Sequence, residues 1–458
     1  MTGISFGTDG WRATLDAFTA PRVRRVGQAV ATYLRDEGLA GEPVAVGYDA
    51  RETSRGFAED LAAVLQGNGH DVLLPTRDCP TPLVAWAVVE RGLAGACMVT
   101  ASHNPPEYNG VKFIPADGAP AMPAVTDAIE AALAEPVAEP ASERGTVREV
   151  DLVEPHARHA LDLVDVDLSG LTVVYDAMHG SGRGVTDALL ERAGAAVEVV
   201  RADADPTFGG TPPEPTPEHL EPLVAAVEAA DADLGLANDG DADRLAVVTP
   251  GRGVLDENLF FAALYDHLLA DDAGPAVRTV STSFLVDRVA AAHGETVVEV
   301  PVGFKWVAEA MAEHDALVGG EESGGFTVRG HVREKDGVLV ALYAAAMAAE
   351  RPFDDRVDDL LEAHGTVRQG KLGVDCPDDR KPAVLAAVVD ALPASVAGRA
   401  VESVNDADGV KALLEDGSWL LVRPSGTEPT LRVYAEAADE ARVAALLAAG
   451  RDLVAPLV

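Results

Sequence analysis

Lysine is almost missing from this 458-residue chain: Lys112, Lys305, Lys335, Lys371, Lys381 and Lys411 are all there are. Arginine carries the rest of the positive charge. The 36 basic residues face 75 acidic ones, a formal net charge of −39. That balance argues against nucleic acid or an anionic membrane as a partner. An acidic, lysine-poor chain without long acidic tails fits a surface adapted to a salty cytoplasm, where a Debye length of ~3 Å at ~1 M salt screens the self-repulsion. Cysteine is scarce too. Cys79, Cys97 and Cys376 form no C-x-x-C pair and are odd in number, which argues against a disulfide framework and fits small core residues in a reducing compartment. No apolar signal segment occupies residues 1–12, and the longest apolar run, 338–349, is too short to span a bilayer. A soluble, cytoplasmic protein is expected. Aromatic residues make up only 5%, so the cores must be built from Ala, Val and Leu.

What is present is a globular composition, 48% hydrophobic and 24% charged. At roughly 100–200 residues per domain the length suggests about three or four domains. Short apolar runs at 44–48, 95–100, 171–176, 233–237 and 278–283 read as strands. Longer stretches of helical period at 21–37, 54–67, 184–193, 218–230 and 258–269 read as helices. Such alternation predicts α/β layers with largely parallel sheets. Residues 134–150, rich in Glu, Pro and Ala, read as a linker, and the proline-dense 212–217 as a loop within a domain. Further boundaries are expected near 249–252 and 353–367. The last ~90 residues change character to helices plus a strand pair, 419–422 and 430–436. No fixed-period repeat is visible.

Three polar clusters, Thr100–Pro105, Asp239–Arg244 and Gly320–Gly325, follow apolar strand-like runs, where open α/β sheets gather their ligands. In Asp239-Gly-Asp-Ala-Asp-Arg244, carboxylates fall at i, i+2 and i+4 on a turn. Close like charges call for a cation, and hard oxygen donors suit Mg²⁺ or Ca²⁺. An EF-hand is excluded, because its glycine position holds Arg244 and its final glutamate position holds Pro250. In Thr100-Ala-Ser-His-Asn-Pro105, Ser102 is a candidate nucleophile if a base or metal activates it; alone, the segment also reads as a Ser/Asn/Pro turn. Arg423-Pro-Ser-Gly-Thr-Glu-Pro429 offers a guanidinium fork, hydroxyls and backbone N–H groups to a phosphate, or simply shapes a hairpin. Gly320-Glu-Glu-Ser-Gly-Gly325 could grip sugar hydroxyls or be a flexible surface loop. Lys112, Lys305 and Lys335 lie in or beside these segments. A Walker A motif is missing, and His179-Gly-Ser-Gly-Arg-Gly184 fails the dinucleotide fingerprint at Val185. No G-x-S-x-G surrounds Ser102, Ser181, Ser323 or Ser425.

Together with Phe6-Gly-Thr-Asp-Gly-Trp-Arg12 and Asn109-Gly-Val-Lys112, these segments resemble, in order and across nearly the whole chain, the α-D-phosphohexomutase superfamily, closest to its phosphoglucomutase/phosphomannomutase branch. The resemblance implies three similar α/β/α domains with mixed sheets (1–140, 150–250 and 251–360) plus a smaller α+β C-terminal domain (365–458) around one central cleft. It implies a phosphoryl group carried on Ser102, and Mg²⁺ held by Asp239, Asp241, Asp243 and the Ser102 phosphate. Arg12, His103 and Lys112 would lie near the transferred group, and Arg244 by the phosphate. Glu321, Ser323 and Lys305 would contact the substrate. Arg423, Ser425, Gly426, Thr427 and Arg432 would bind the phosphate that is not reacting. The implied activity interconverts hexose 1- and 6-phosphates of glucose or mannose through a hexose 1,6-bisphosphate, with small sugar phosphates as the partners. Phosphoglucosamine mutase and a Mg²⁺-dependent phosphohydrolase are the alternatives. A sensor without catalysis would not need a nucleophile beside a metal. Some members end the sugar loop in Ser-Gly-His, where this chain has Gly325. Some carry a histidine where it has Gly303-Phe-Lys-Trp306. The local pattern is more similar to glucose-type phosphoglucomutases.

Overall fold

Apolar strands followed by helices with one apolar face can bury both only by layering, and the chain does this around four sheets. A computed structural model describes residues 3–7, 10–426 and 429–458. The first sheet holds β1 (Trp11–Thr14), β2 (Val44–Tyr48), β3 (Val72–Pro75), β4 (Gly95–Val99), β5 (Tyr108–Pro115) and β6 (Val147–Val150) in the order β1-β5-β4-β2-β3-β6. The second holds β7 (Thr172–Asp176), β8 (Ala196–Val200), β9 (Leu234–Asn238), β10 (Leu245–Thr249) and β11 (Gly253–Val254), ordered β11-β10-β9-β7-β8. The third holds β12 (Ala276–Thr279), β13 (Val297–Val300), β14 (Val318–Gly320) and β15 (Phe326–Val328), ordered β13-β12-β14-β15. Each of these three is mixed: parallel strands, with β1–β5, β4–β5, β9–β10, β10–β11 and β14–β15 as antiparallel pairs. The fourth sheet is antiparallel throughout: β16 (Arg368–Asp375), β21 (Thr430–Ala437), β20 (Trp419–Pro424), β19 (Val410–Leu414), β18 (Arg399–Asn405) and β17 (Ser395–Val396). It contains the predicted C-terminal strand pair.

Three readings of the sequence are corrected. Strand β12 ends at Thr279. Beyond it the hydroxyls fold back, with the Thr279 and Thr282 oxygens 2.8 Å apart, as short hydroxyl side chains do when they compete with the ladder. The supposed linker 134–150 ends in β6, parallel to β3. The Asp71 carboxylate starts that pairing by accepting from the Thr146 N–H and hydroxyl, each at 2.7 Å. Most of 353–367 is the helix Phe353–His364, which buries Phe353, Val357 and Leu360.

The apolar run at 338–349 becomes the helix Gly337–Glu350, buried on every side from Gly337 to Ala348. It packs against β9, β10, β15 and three helices, which is why its sequence shows no polar face. Among the described residues no helix is long and apolar enough to cross a membrane. Asp336 starts this helix. Its Oδ1 accepts from the Val338 and Leu339 N–H groups. Its Oδ2 accepts from His156 Nε2 at 2.6 Å and His331 Nε2 at 2.8 Å. Burial pushes this carboxyl up, but His156 and His331 overcome it and hold the group below its usual range. Asp336→Ala removes a cap and strands two buried imidazoles, so it is expected to destabilise the protein by about 2–4 kcal/mol; urea denaturation checks this.

Candidate active site

One loop per sheet occupies the same topological place, the link between two adjacent antiparallel strands. β4 leads through Ser102 to β5, β9 through Asp239–Arg244 to β10, β14 through Glu321 to β15, and β20 through Ser425 to β21. These are the four loops singled out by chemistry.

The serine loop is rigidly built. Ser102 takes a left-handed backbone conformation (φ 50°), uncommon for a residue with a Cβ. The buried Arg51, which sequence reasoning missed, holds it there. Its guanidinium donates to the carbonyls of Ser102 (2.8 Å), Asn104 (2.6 Å), Pro105 (2.7 Å) and Tyr108 (3.1 Å). Asp49 balances Arg51 at 3.0 Å and also accepts from the hydroxyls of Ser54 and Thr100. A buried Asp-x-Arg directly after β2 is the signal that could have revealed it. Ser102 Oγ lies 2.8 Å from Asp239 Oδ2 and 3.2 Å from His103 Nδ1. The charge of Arg244, then burial, then Arg12 push the His103 imidazole far below its usual range, so it is neutral. Arg12 Nη1 donates to Asn104 Oδ1 at 3.0 Å.

Asp239, Asp241 and Asp243 are fully buried, with one oxygen from each lying within 4.8 Å of the others. Burial, then Asp243 and Asp241, raise the Asp239 carboxyl well above its usual value. Asp241 goes the other way: Lys112, the Thr81 hydroxyl and Arg12 outweigh its burial. The outer oxygens are taken. Asp241 Oδ2 accepts from Thr81 Oγ1 (2.6 Å) and Lys112 (3.2 Å), and Asp243 Oδ2 from Lys112 and Lys335, both at 3.1 Å. Asp241 Oδ1 and Asp243 Oδ1 are buried with no hydrogen-bond partner. Orphaned carboxylate oxygens in a dry site are costly unless a cation meets them, so these residues fit a hard divalent ion. Gly240 brings the loop against Ser102: a Cβ there would lie 2.6 Å from the Ser102 carbonyl oxygen.

Lys335 and Thr81 complete this centre but were not among the predicted site residues, although Lys335 stood out as a rare lysine. Gly325 is explained by it. A Cβ at 325 would sit 2.3 Å from Lys335 Cδ, so the lysine stem occupies the space of a side chain at that position. Glu321 is buried and accepts from the Gly303 N–H at 2.8 Å; burial raises its carboxyl against the pull of Lys335. Ser323 is half-buried on the same turn. Arg244 lies 3.9 Å from both Asp243 and Glu214. In the fourth sheet Arg423 and Arg432 are cross-strand neighbours. Ser425 is buried and Gly426 exposed on the connecting loop. Lys381 Nζ props that loop through the Ser425 carbonyl at 2.7 Å. Thr427 lies outside the described residues. Lys305, at the start of the helix Phe304–His314, lines a cleft of about 510 Å³ with Tyr33, Phe113, Met122 and Arg333, none of them a predicted site residue.

Two outcomes follow from this geometry. Gly240→Ala forces the aspartate loop off the serine loop, so kcat, measured on folded protein, is expected to fall on the order of a hundredfold, the scale of a 1 Å misplacement. Mg²⁺ is expected to raise the thermal midpoint, with about 2.7 kcal/mol at a hundredfold excess over Kd. Differential scanning fluorimetry of Asp241→Asn/Asp243→Asn should show that shift gone.

The comparisons with known proteins agree with this arrangement. Four family models match in succession, those of phosphoglucomutase/phosphomannomutase α/β/α domain I (residues 3–138), domain II (151–253) and domain III (256–364), and of the C-terminal domain (373–453). A Methanopyrus kandleri protein described as a probable phosphoglucosamine mutase is 36% identical, over 96% of this chain and 95% of its own. A Thermococcus kodakarensis phosphoglucomutase/phosphomannomutase is 32% identical, over 99% and 98%. A Thermus thermophilus structure described as a phosphomannomutase superposes with a TM-score of 0.85 at 32% identity, covering 99% of both chains. The chain therefore belongs to the phosphoglucomutase/phosphomannomutase family of the α-D-phosphohexomutase superfamily and is an intramolecular phosphotransferase.

Proposed function

We propose that this enzyme interconverts hexose 1-phosphate and hexose 6-phosphate, of glucose or mannose, by carrying a phosphoryl group on Ser102. The carrying observation is Ser102 Oγ placed 2.8 Å from Asp239 in a loop of three buried, converging carboxylates. The Ser102 O–P bond breaks as a bond forms from phosphorus to the free sugar hydroxyl, and the hydroxyl proton leaves to a nearby base. The resulting hexose 1,6-bisphosphate turns over in the cleft, and its other phosphoryl group returns to Ser102. Asp239, Asp241 and Asp243 would hold Mg²⁺, which supplies charge neutralisation at the phosphoryl oxygens. Lys112 and Lys335 fix the aspartates, Arg12 fixes the serine loop through Asn104, and His103 stands within hydrogen-bond reach of Ser102 Oγ, at 3.2 Å. Glu321 and Ser323 would hold sugar hydroxyls. Arg423, Arg432 and Ser425, with Gly426 and Thr427, would hold the idle phosphate, which must be accepted in either orientation of the ring.

A second reading, phosphoglucosamine mutase, draws on the description of the Methanopyrus kandleri relative. Gly325 and Gly303-Phe-Lys-Trp306, where some members carry histidine, weigh against it. The charge of −39 supports work in a salty cytoplasm. A ³¹P NMR time course in molar KCl with Mg²⁺, glucose 1-phosphate and a trace of glucose 1,6-bisphosphate tests the reading. Glucose 6-phosphate is expected. Inorganic phosphate alone would make the enzyme a phosphohydrolase on this substrate, and no change would turn the test to mannose and glucosamine phosphates. Ser102→Ala is expected to abolish turnover, and Asp241→Ala to lower it by about 10²-fold or more.

A further inference from the structure

Between the sugar loop and the fourth sheet lies a contact that no part of this mechanism yet uses. Asp408, in the turn between β18 and β19, has one carboxylate oxygen, Oδ2, with two tasks. It accepts from Arg423 Nε at 3.0 Å and from the Val302 N–H at 3.1 Å. The next peptide N–H, that of Gly303, donates to Glu321 Oε1 at 2.8 Å. Two consecutive backbone donors thus reach in two directions, one to the carboxylate that holds the phosphate-loop arginine, the other to the carboxylate of the sugar loop. Gly303 can do this because it has φ 122°, a conformation open mainly to glycine. The Asp408 side chain is 17% exposed and that of Arg423 11%, so the pair is largely shielded from water and is worth more than a surface ion pair. Gly409, also left-handed, allows the close approach: a Cβ there would meet the Val422 carbonyl oxygen at 2.3 Å.

We propose that Asp408 is a positioning residue that links the phosphate loop to the sugar loop through the Val302–Gly303 peptides. The inference rests on the reading of Arg423 as a phosphate ligand. By taking Nε, Asp408 fixes the plane of the guanidinium and turns its Nη1/Nη2 edge, the pair with which arginine grips a phosphate, in a set direction. By taking the Val302 N–H with the same oxygen, it ties that direction to the strand end that carries Gly303 and, beyond it, Glu321. The two substrate contacts are then set together. An idle phosphate held in the right place contributes binding, so its loss falls mainly on KM.

Steady-state kinetics of Asp408→Ala, Arg423→Ala and the double variant test this, with glucose 1-phosphate or whichever hexose 1-phosphate the NMR assay shows to be turned over. Alanine removes both acceptor oxygens of Asp408, and thermal midpoints establish that each variant is folded. Asp408→Ala and Arg423→Ala are each expected to lower kcat/KM tenfold or more, chiefly by raising KM. The double variant is expected to be no more than threefold worse than Arg423→Ala alone, because the two residues act as one unit. If Arg423→Ala is impaired but Asp408→Ala stays within twofold of the parent, or if the two losses multiply, the positioning role is overturned and the phosphate reading of Arg423 survives. If Arg423→Ala itself stays within twofold, both fall.

Discussion

Three carboxylates buried within a few ångströms of one another are the constraint on which the rest of this molecule depends. Unpaired buried charge is among the most costly features a fold can carry. Asp239, Asp241 and Asp243 are tolerable only because cations are delivered to them from elsewhere in the chain. Lys112 comes from β5 of the first sheet, and Lys335 from the segment that follows the third. Thr81, at the start of the helix Thr81–Arg91, adds its hydroxyl to the Asp241 carboxylate and its backbone N–H to the Asp241 carbonyl. The aspartate loop of the second sheet therefore requires the units on either side to meet over it. The orphaned oxygens point to the same accounting: protein donors satisfy Oδ2 of Asp241 and Asp243, and their Oδ1 atoms would be met by a divalent ion.

The supporting structure follows from that meeting point. Lys335 is placed by Asp336, which caps the wholly buried helix Gly337–Glu350 and takes His156 and His331 as partners. His331 in turn contacts His159 at 3.0 Å, and Trp86 stacks on His159 with ring centroids 3.7 Å apart. Those residues come from the first, second and third sheet units. A polar network of this kind holds several elements in one register, because each member has few alternative partners. It leaves the lysine tip with little freedom to wander from Asp243.

Much of the site was legible in the sequence because strand-end loops carry unusual residues. Ser102, the aspartate triad and Glu321 all stand just beyond apolar runs, and the structure has them there. What escaped were the supporting residues: Arg51 and Thr81 serve the site through backbone carbonyls and a single carboxylate oxygen, tasks that leave at most a local Asp-x-Arg in a chain with many arginines and threonines. The shared topology of the first three sheets was expected only from the family resemblance. Each places its loop between a parallel strand and its antiparallel return, yet the helices and turns between differ in length, so no period marks the repetition. The misread ends of β12 and β6 have a local cause: hydroxyl residues looked extended at 281–283, and Pro, Glu and Ala dominated the stretch before Val147.

The scarcity of lysine acquires a meaning from where the few lysines lie. Four of the six are buried: Lys112 and Lys335 on the aspartates, Lys381 under the Ser425 loop, and Lys411 where the third and fourth units meet. Lys411 bonds Glu299 at 2.6 Å and sits 4.3 and 4.6 Å from the Phe284 and Trp419 ring centroids. Burial, then Arg278, push its ammonium down to about 8. A planar guanidinium needs a wide, flat setting, whereas an ammonium on a thin stem can pass between packed groups and end as a point charge. At Gly325 that difference is visible, since the stem of Lys335 runs through the space that a side chain there would fill. A composition poor in lysine thus retains most of it where a thin stem and a point charge fit best, and the rare residue becomes a pointer to the interior charges that the fold must balance.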